Sequence, residues 1–287
     1  MGIIIAIIVI YILVLVGAVV LSIRPVRTPL FFSPESIGVV QEDVRFESEN
    51  GIIHGWWLPH LFPKAVLVFA HGYLMNRSEW AALAAYAQRA GYACLVFDFH
   101  SHGKSDSGGI VTVGPSEAWD VAAAADYARE RMPDTPLALI GSSMGAAASV
   151  LAVVDLEVEA ECLVLDSCYS TLASAVLGWW NFIGGKVLMT LLAPSVLVAW
   201  AVTRVNPFGV DITRALCNVR MPVLVVHGED DTLAKPQHAR RNYEALSADH
   251  DSQFAMFHGA NHGEAKWSKS ADYERLVIEF LDSVFVK

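Results

Sequence analysis

The stretch Gly141-Ser142-Ser143-Met144-Gly145 places a serine between two glycines, after an apolar run and before a helical segment of small residues. A serine on a tight strand-to-helix turn has its hydroxyl pushed into a cleft, in a strained backbone conformation. Gly141 and Gly145 remove the side chains that would clash where strand and helix nearly touch. The pattern predicts that Ser143 is a nucleophile.

A serine hydroxyl is a poor nucleophile at neutral pH and needs an adjacent base. Imidazole suits this task when a carboxylate holds it in the right tautomer. Both side chains follow later apolar runs, in His227-Gly228-Glu229-Asp230-Asp231 and in His258-Gly259-Ala260-Asn261-His262. We assign His262 as the base and Asp231 as the carboxylate that orients it.

Each of these two assignments has an alternative. Glu229 and Asp230 precede Asp231, but a turn leaving a strand needs a few residues to bring a carboxylate back over a cleft, which favours Asp231. His258 directly ends its strand, whereas His262 lies in a loop that can arch toward the serine. This difference favours His262.

Attack by serine on a carbonyl also needs donors for the negative charge that develops on oxygen. The N–H group of Met144 starts the helix after Ser143 and points to that position. The stretch His71-Gly72-Tyr73 ends another apolar run, and its glycine lets the backbone approach closely. We predict an oxyanion hole formed by the N–H groups of Tyr73 and Met144, with His71 bonded inside its own loop.

These motifs follow short, continuous apolar runs, which are typical of strands buried on both faces. The predicted buried strands are 65–70, 93–97, 137–140, 162–165 and 222–226, and the last predicted strand is 252–257. The predicted helices are 78–89, 116–132, 146–154, 235–246 and 270–284, the first two capped by Ser78 and Ser116. Residues 44–48 and 52–58 form a predicted hairpin. The alternation predicts an α/β fold with a mostly parallel sheet, in which function collects at the carboxyl ends of the strands.

The amino-terminal stretch 2–22 is uncharged and, as a helix of about 31 Å, matches a hydrocarbon core of about 30 Å. A signal peptide is the alternative, but it would have a basic n-region and a shorter apolar core. We predict a single-pass anchor over 1–23 and a proline-punctuated linker over 24–42. Because Arg24 and Arg27 follow the anchor, the positive-inside tendency places the rest of the chain on the cytoplasmic side.

Residues 172–202 break the alternation of strands and helices, and Lys186 is their only charge. A second membrane span is the alternative, but Gly184-Gly185 and Pro194-Ser195 interrupt the stretch. A single crossing here would also separate Ser143 from the later candidates across the bilayer. We predict a helical cap over the cleft, packed either for stability alone or as a lipid-facing or acyl-binding lid.

The composition argues against several other classes of function. A formal net charge of −10 argues against a nucleic-acid partner. The four cysteines form no Cys-x-x-Cys pattern, and the sequence has no zinc spacing, phosphate-binding loop or dinucleotide fingerprint. We therefore expect neither a metal nor a cofactor.

Together the motifs resemble the α/β-hydrolase superfamily of serine hydrolases, and in particular its single-span, membrane-anchored members. The resemblance covers about 44–284 and rests on residues 71–73, 98–105, 141–145, 227–231 and 259–262. It implies a hydrolase domain over 43–287 with an eight-stranded sheet, an antiparallel second strand and a cap insertion over about 172–210. The glycines at 141 and 145 would form its nucleophile elbow. Relatives usually carry Asp-x-Arg-Gly-x-Gly where this chain has Asp98-Phe99-His100-Ser101-His102-Gly103, which leaves the packing of that loop open.

The resemblance also implies hydrolysis of esters, thioesters or amides through an acyl-enzyme, without a cofactor. With the anchor and the apolar cap, it predicts a membrane-anchored serine hydrolase acting on small-molecule acyl or lipid esters. A serine peptidase of the same fold is the first alternative, although we cannot place acidic residues that would hold a substrate's amino terminus. The second is a non-catalytic binding or scaffolding protein, which an intact set of Ser143, Asp231 and His262 argues against.

Overall fold

A computed structural model describes residues 1–248 and 251–286. Within these residues, eight strands form one sheet in the order β1-β2-β4-β3-β5-β6-β7-β8. The strands are β1 (Glu42–Ser48), β2 (Gly51–Leu58), β3 (Val66–Ala70), β4 (Ala93–Phe97), β5 (Leu137–Ser142), β6 (Cys162–Asp166), β7 (Val223–Gly228) and β8 (Gln253–Phe257). β2 is antiparallel to both of its neighbours, and the strands from β4 to β8 pair in parallel. The predicted α/β-hydrolase fold is confirmed.

Helices cover both faces of the sheet. They are α1 (Gly2–Ile23), α2 (Ala81–Arg89), α3 (Glu117–Arg131), α4 (Met144–Asp155), α5 (Leu172–Leu192), α6 (Ser195–Thr203), α7 (Ile212–Leu216), α8 (Pro236–Glu244), α9 (Ala265–Ser268) and α10 (Ser270–Phe285). Helices α3, α4, α7 and α8 pack on one face, and α2 and α10 pack on the other. This two-sided burial explains why the parallel strands are continuously apolar in sequence.

Of the two predicted serine caps, Ser78 is wrong, whereas Ser116 stands at the N-cap position of α3 but makes no capping bond with its side chain. A 3₁₀ turn over Arg77–Glu79 precedes α2, and it is capped by Asn76, whose side chain accepts from the Ser78 N–H group. The Ser78 hydroxyl instead accepts from the backbone N–H groups of Phe31 and Phe32 in the segment after α1. Ser116 precedes α3, but its hydroxyl makes no cap bond and donates to the carbonyl of Ile110. Asn, Asp and Ser compete closely as caps, so neighbouring candidates are hard to rank from sequence.

Two helices of the described chain are long and apolar enough to cross a membrane. α1 has a mean hydropathy of 3.4, and α5 has a mean hydropathy of 1.3. α5 is kinked, because Gly184 and Gly185 leave helical backbone angles. α5 and α6 occupy the predicted cap region, between β6 and β7. The division of the chain into anchor, linker and hydrolase domain stays a prediction.

Candidate active site

Ser143 sits in the turn between β5 and α4, with φ 50° and ψ −108°. This is a strained region of backbone conformation for a residue with a side chain. A Cβ atom on Gly141 would overlap the backbone at Gly145 and Ala146, and one on Gly145 would overlap the carbonyl of Ala70. Both glycines are therefore required by close backbone contacts at this turn.

The structure brings Ser143, His262 and Asp231 into one hydrogen-bonded chain. The Ser143 Oγ atom lies 2.9 Å from His262 Nε2, and His262 Nδ1 lies 2.7 Å from Asp231 Oδ2. The alternative His258 instead pairs with Glu229 at 2.8 Å on the protein surface, away from the serine. The three side chains have the geometry of a nucleophile, its base and the carboxylate that orients the base.

The Asp231 carboxylate is buried and fully engaged. Its Oδ1 atom accepts from the N–H groups of Leu233 and Ala234, at 2.9 and 2.8 Å. Its Oδ2 atom also lies 3.1 Å from His227 Nε2. Burial alone would raise the pKa of Asp231, but hydrogen bonds from His227 and His262 outweigh burial and lower the pKa to about 2. The carboxylate is therefore charged at neutral pH.

His227 is a neighbour of Asp231 that the sequence analysis did not single out. Its Nε2 atom faces two acceptors, Asp231 Oδ2 and, at 2.6 Å, the carbonyl of Ala234. A ring nitrogen between two acceptors carries the proton, so His227 donates toward Asp231. The sequence did offer one indication of this residue. His227-Gly228 ends β7, just as His71-Gly72 follows β3.

The loop after β3 lies against the serine turn. A Cβ atom on Gly72 would be 3.8 Å from Ser143 Cβ. Within the described residues, the N–H groups of Tyr73 and Met144 donate to no protein acceptor. They remain the predicted oxyanion donors. His71 Nδ1 lies 2.8 Å from the carbonyl of Gly72 inside its own loop, and His71 Nε2 accepts from the N–H group of Phe99 in the loop after β4.

The family model described as "Serine aminopeptidase, S33" matches residues 62–207, which is more than half of the chain. The chain belongs to the serine aminopeptidase S33 family. A second model, described as "Prolyl oligopeptidase family", matches residues 210–287. Both are serine hydrolase families of the α/β-hydrolase superfamily, so the chain is a serine hydrolase. No curated protein matches it.

Several solved esterases share the fold. An esterase from Pyrococcus furiosus is 22% identical, with 92% of this chain and 98% of that chain covered and a TM-score of 0.75. A carboxyl esterase from Bacillus coagulans, in complex with glycerol, is 16% identical, with 86% and 99% covered and a TM-score of 0.70. A thermophilic esterase from Thermogutta terrifontis is 16% identical, with 85% and 100% covered and a TM-score of 0.64.

In this S33 chain the loop 98–103 is fixed without the arginine that relatives carry. His100 stands at that position, and its Nδ1 atom and backbone N–H both bond to Asp120. The Asp98 carboxylate accepts from the N–H groups of Arg77 and Lys104, at 2.7 and 2.8 Å. A buried histidine–aspartate pair therefore holds the loop.

The buried side chain of Lys266 contacts residues from several segments that form the site. The sequence analysis did not identify this residue. Lys266 Nζ lies 2.8 Å from Asp166, 3.0 Å from Glu79 and 3.2 Å from Ser142 Oγ. Glu79 also accepts from the Gly72 N–H group, and the Asp166 carbonyl accepts from the Ser143 N–H group. Burial alone would lower the pKa of Lys266, but the two carboxylates outweigh burial and raise it.

Replacing Lys266 with methionine is expected to destabilise the fold by about 3–5 kcal/mol, because two buried carboxylates would lose their counter-charge. Chemical denaturation of the purified full-length chain in detergent measures this effect. Lys269→Met is the matched control, since Lys269 is exposed and is expected to change stability by about 0.5 kcal/mol or less. Equal stability of the two variants would refute a role for the buried charges.

A cavity of about 570 Å³ opens beside Ser143 and His262. Its walls are mostly apolar and include Val113, Tyr169, Val176, Trp179, Trp180, Phe182, Leu233 and Trp267. The wall also includes Ser22 of α1, whose carbonyl accepts from the Tyr73 hydroxyl at 2.8 Å. Burial raises the pKa of Tyr73 to about 12, so this donor stays protonated. Such a cavity is suited to an apolar ligand with one polar, reactive end.

Proposed function

We propose that this chain is a membrane-anchored serine hydrolase that cleaves carboxylic ester or thioester bonds of acyl or lipid substrates. The observation that carries the proposal is the hydrogen-bonded chain from Asp231 through His262 to Ser143, which ends at the wall of a large apolar cavity. Family membership supplies the hydrolase chemistry, and the cavity supplies the reason for an acyl substrate.

In the proposed reaction, Ser143 Oγ attacks the substrate carbonyl carbon while His262 Nε2 takes its proton. Asp231 stabilises the imidazolium that forms, and the N–H groups of Met144 and Tyr73 bind the oxyanion. The carbon–oxygen or carbon–sulfur bond then breaks as His262 gives the proton to the leaving group. Water, deprotonated by His262, cleaves the acyl-enzyme and releases a carboxylic acid and free Ser143.

The length and apolarity of α1 support a membrane anchor. Its 22 residues would extend about 33 Å, which matches a hydrocarbon core of about 30 Å. Arg24 and Arg27 follow it, so we place the hydrolase domain on the cytoplasmic side. Resistance of the domain to protease added outside intact cells tests this placement, and digestion there would refute it.

The apolar cavity predicts a preference for long acyl chains. Each methylene that enters it contributes about 0.8 kcal/mol, which is about fourfold in kcat/KM, until the cavity is full. We therefore expect kcat/KM to rise steeply along a series of p-nitrophenyl esters from acetate through hexanoate to dodecanoate. A clear preference for acetate would defeat the lipid or acyl assignment.

Phe182→Ala is a matched variant for this series. Phe182 lines the cavity but takes no part in the hydrogen-bonded chain. We expect the variant to reduce kcat/KM for the dodecanoate and to leave kcat/KM for the acetate nearly unchanged. Equal losses on both esters would show that Phe182 does not contact the acyl chain.

Cleavage of peptides is the second candidate, because the description of the matching family names an aminopeptidase. An aminopeptidase needs a carboxylate for the substrate's ammonium group. Of the two acids in the cavity wall, Glu79 is already bonded to Lys266 and Gly72, and Glu264 accepts from the Asn261 N–H group. Esters are therefore favoured, and faster turnover of aminoacyl p-nitroanilides than of matched esters would reverse this choice.

A further inference from the structure

Helix α1 does not leave the hydrolase domain as a free tether. Its carboxyl-terminal half packs against the cap, where Leu15 is buried in a cluster with Trp180 and Leu192. Nearer its middle, the Tyr11 hydroxyl donates to the carbonyl of Leu191 at 2.6 Å. At its end, Ser22 is bonded to Tyr73 and lines the cavity beside the candidate nucleophile.

The linker that follows α1 is bonded to the hydrolase domain as well. The Asn76 side chain donates to the carbonyls of Thr28 and Pro29, and Arg27 donates to the carbonyl of Gly103. The end of α1 is therefore fixed relative to the sheet. Contacts with the cap and with the hydrolase domain hold α1 in one position relative to the sheet. The depth at which α1 lies in a membrane therefore determines the depth of the cap.

The hydrogen bond between Tyr11 and Leu191 shows how far into the bilayer the cap would extend. Tyr11 precedes the end of α1 at Ile23 by twelve residues, which is about 18 Å along a helix. A hydrocarbon core is about 30 Å thick, so Tyr11 of a spanning α1 lies near the middle of the bilayer. Leu191, near the turn between α5 and α6, must then lie at the same level.

The surface of the cap is apolar and uncharged, as a position in the hydrocarbon of the bilayer requires. Residues 187–203 carry no charge, and the outward side chains of Val187 and Leu197 are 73% and 56% exposed. Helical backbone bonds satisfy most polar groups of this segment, as hydrocarbon requires. The flanking charges are Lys186, after the kink, and Arg204, which ends α6. Long basic side chains at such places reach back to the lipid headgroups.

We propose that α5 and α6 form a re-entrant hairpin that lies in the hydrocarbon of the bilayer beside α1. The hairpin enters and leaves on the same side, so Ser143 and His262 stay together on one side of the membrane. Two walls of the cavity, from α1 and from α5, then belong to membrane-embedded helices. This inference rests on the proposed membrane anchor and deepens it by naming the acyl chains of lipids as the partner of the cap surface.

Single-cysteine probes in the full-length protein test the inference. Cys217 is replaced by serine, since it is exposed and the other three cysteines are buried. Cysteines at Val187 and Leu197 of the cap, at Val9 of α1 and at Leu61 then receive an environment-sensitive fluorophore. Leu61 is the matched control, because it is apolar and 89% exposed but lies between β2 and β3, at the amino ends of the parallel strands, whereas Ser143 follows the carboxyl end of β5. The labelled proteins are placed in phosphatidylcholine vesicles.

We expect the two cap probes to behave like the Val9 probe, with blue-shifted emission that is lost when spin-labelled phosphatidylcholine is added. The Leu61 probe should emit as in water and lose its emission to iodide. Cap probes in water beside a Val9 probe in lipid would overturn the re-entrant hairpin and leave the anchor standing. A Val9 probe in water would overturn the anchor itself, and the hairpin with it.

Discussion

Replacing Ser143 with alanine is expected to lower kcat on the best ester by about 10⁴-fold or more, because the variant lacks the hydroxyl that His262 Nε2 contacts at 2.9 Å. The Ser143 Oγ atom has His262 as its hydrogen-bond partner within the described chain, so its removal leaves no other group unpaired. Alanine has the same Cβ atom as serine and adopts the strained turn at similar cost. Folding should therefore be unaffected.

Ser149→Ala is the matched control for this variant. Ser149 is a buried serine of the helix that begins beside Ser143, and its hydroxyl donates within that helix to the carbonyl of Gly145. Its replacement should leave turnover nearly unchanged. Steady-state kinetics compares the two variants, with thermal melting as a check of folding. If the Ser143 variant kept most of the activity, the nucleophile would lie elsewhere.

The second large effect is expected for Asp231→Asn, with a loss of about 10⁴-fold in kcat. The amide oxygen can still accept from Leu233 and Ala234, so the loop should keep its shape. An amide cannot stabilise the imidazolium, and it no longer fixes which ring nitrogen of His262 faces Ser143. Since the pKa of Asp231 is about 2, the wild-type carboxylate stays charged in mild acid and keeps its hydrogen bond to His262 there.

Asp230→Asn and Glu229→Gln are the controls for Asp231, because both side chains are exposed carboxylates of the same turn. Glu229 faces His258 on the surface, so neither variant should change kcat by more than a few-fold. A larger loss from either control than from Asp231→Asn would transfer the orienting role to that residue.

The sequence was sufficient to predict those parts of the fold that depend on local pattern. Continuous apolar runs marked the buried strands, and the spacing of Gly141 and Gly145 marked the turn that holds Ser143. The shared edge of a parallel sheet then explained why Asp231 and His262, far away in the chain, lie near the serine. Their catalytic roles stay predictions until they are tested.

Other parts of the site depend on distant partners and left no local signal. Lys266 contacts Glu79 across 187 positions and is flanked by residues of an ordinary short helix. The packing of α1 on the cap is invisible for a different reason, since an apolar helix has the same composition whether lipid or protein covers it. The cap raised a related ambiguity, because a span and a kinked hairpin contain similar residues.

The proposal depends most directly on the identity of the side chain that becomes acylated. A fluorophosphonate probe reacts covalently with a serine only when an adjacent base activates it, and mass spectrometry of the digested protein locates the adduct. We predict one adduct per chain, on the peptide that contains Ser143, and its absence in the Ser143→Ala variant. An adduct on another side chain, or no adduct in a preparation that hydrolyses esters, would contradict this account.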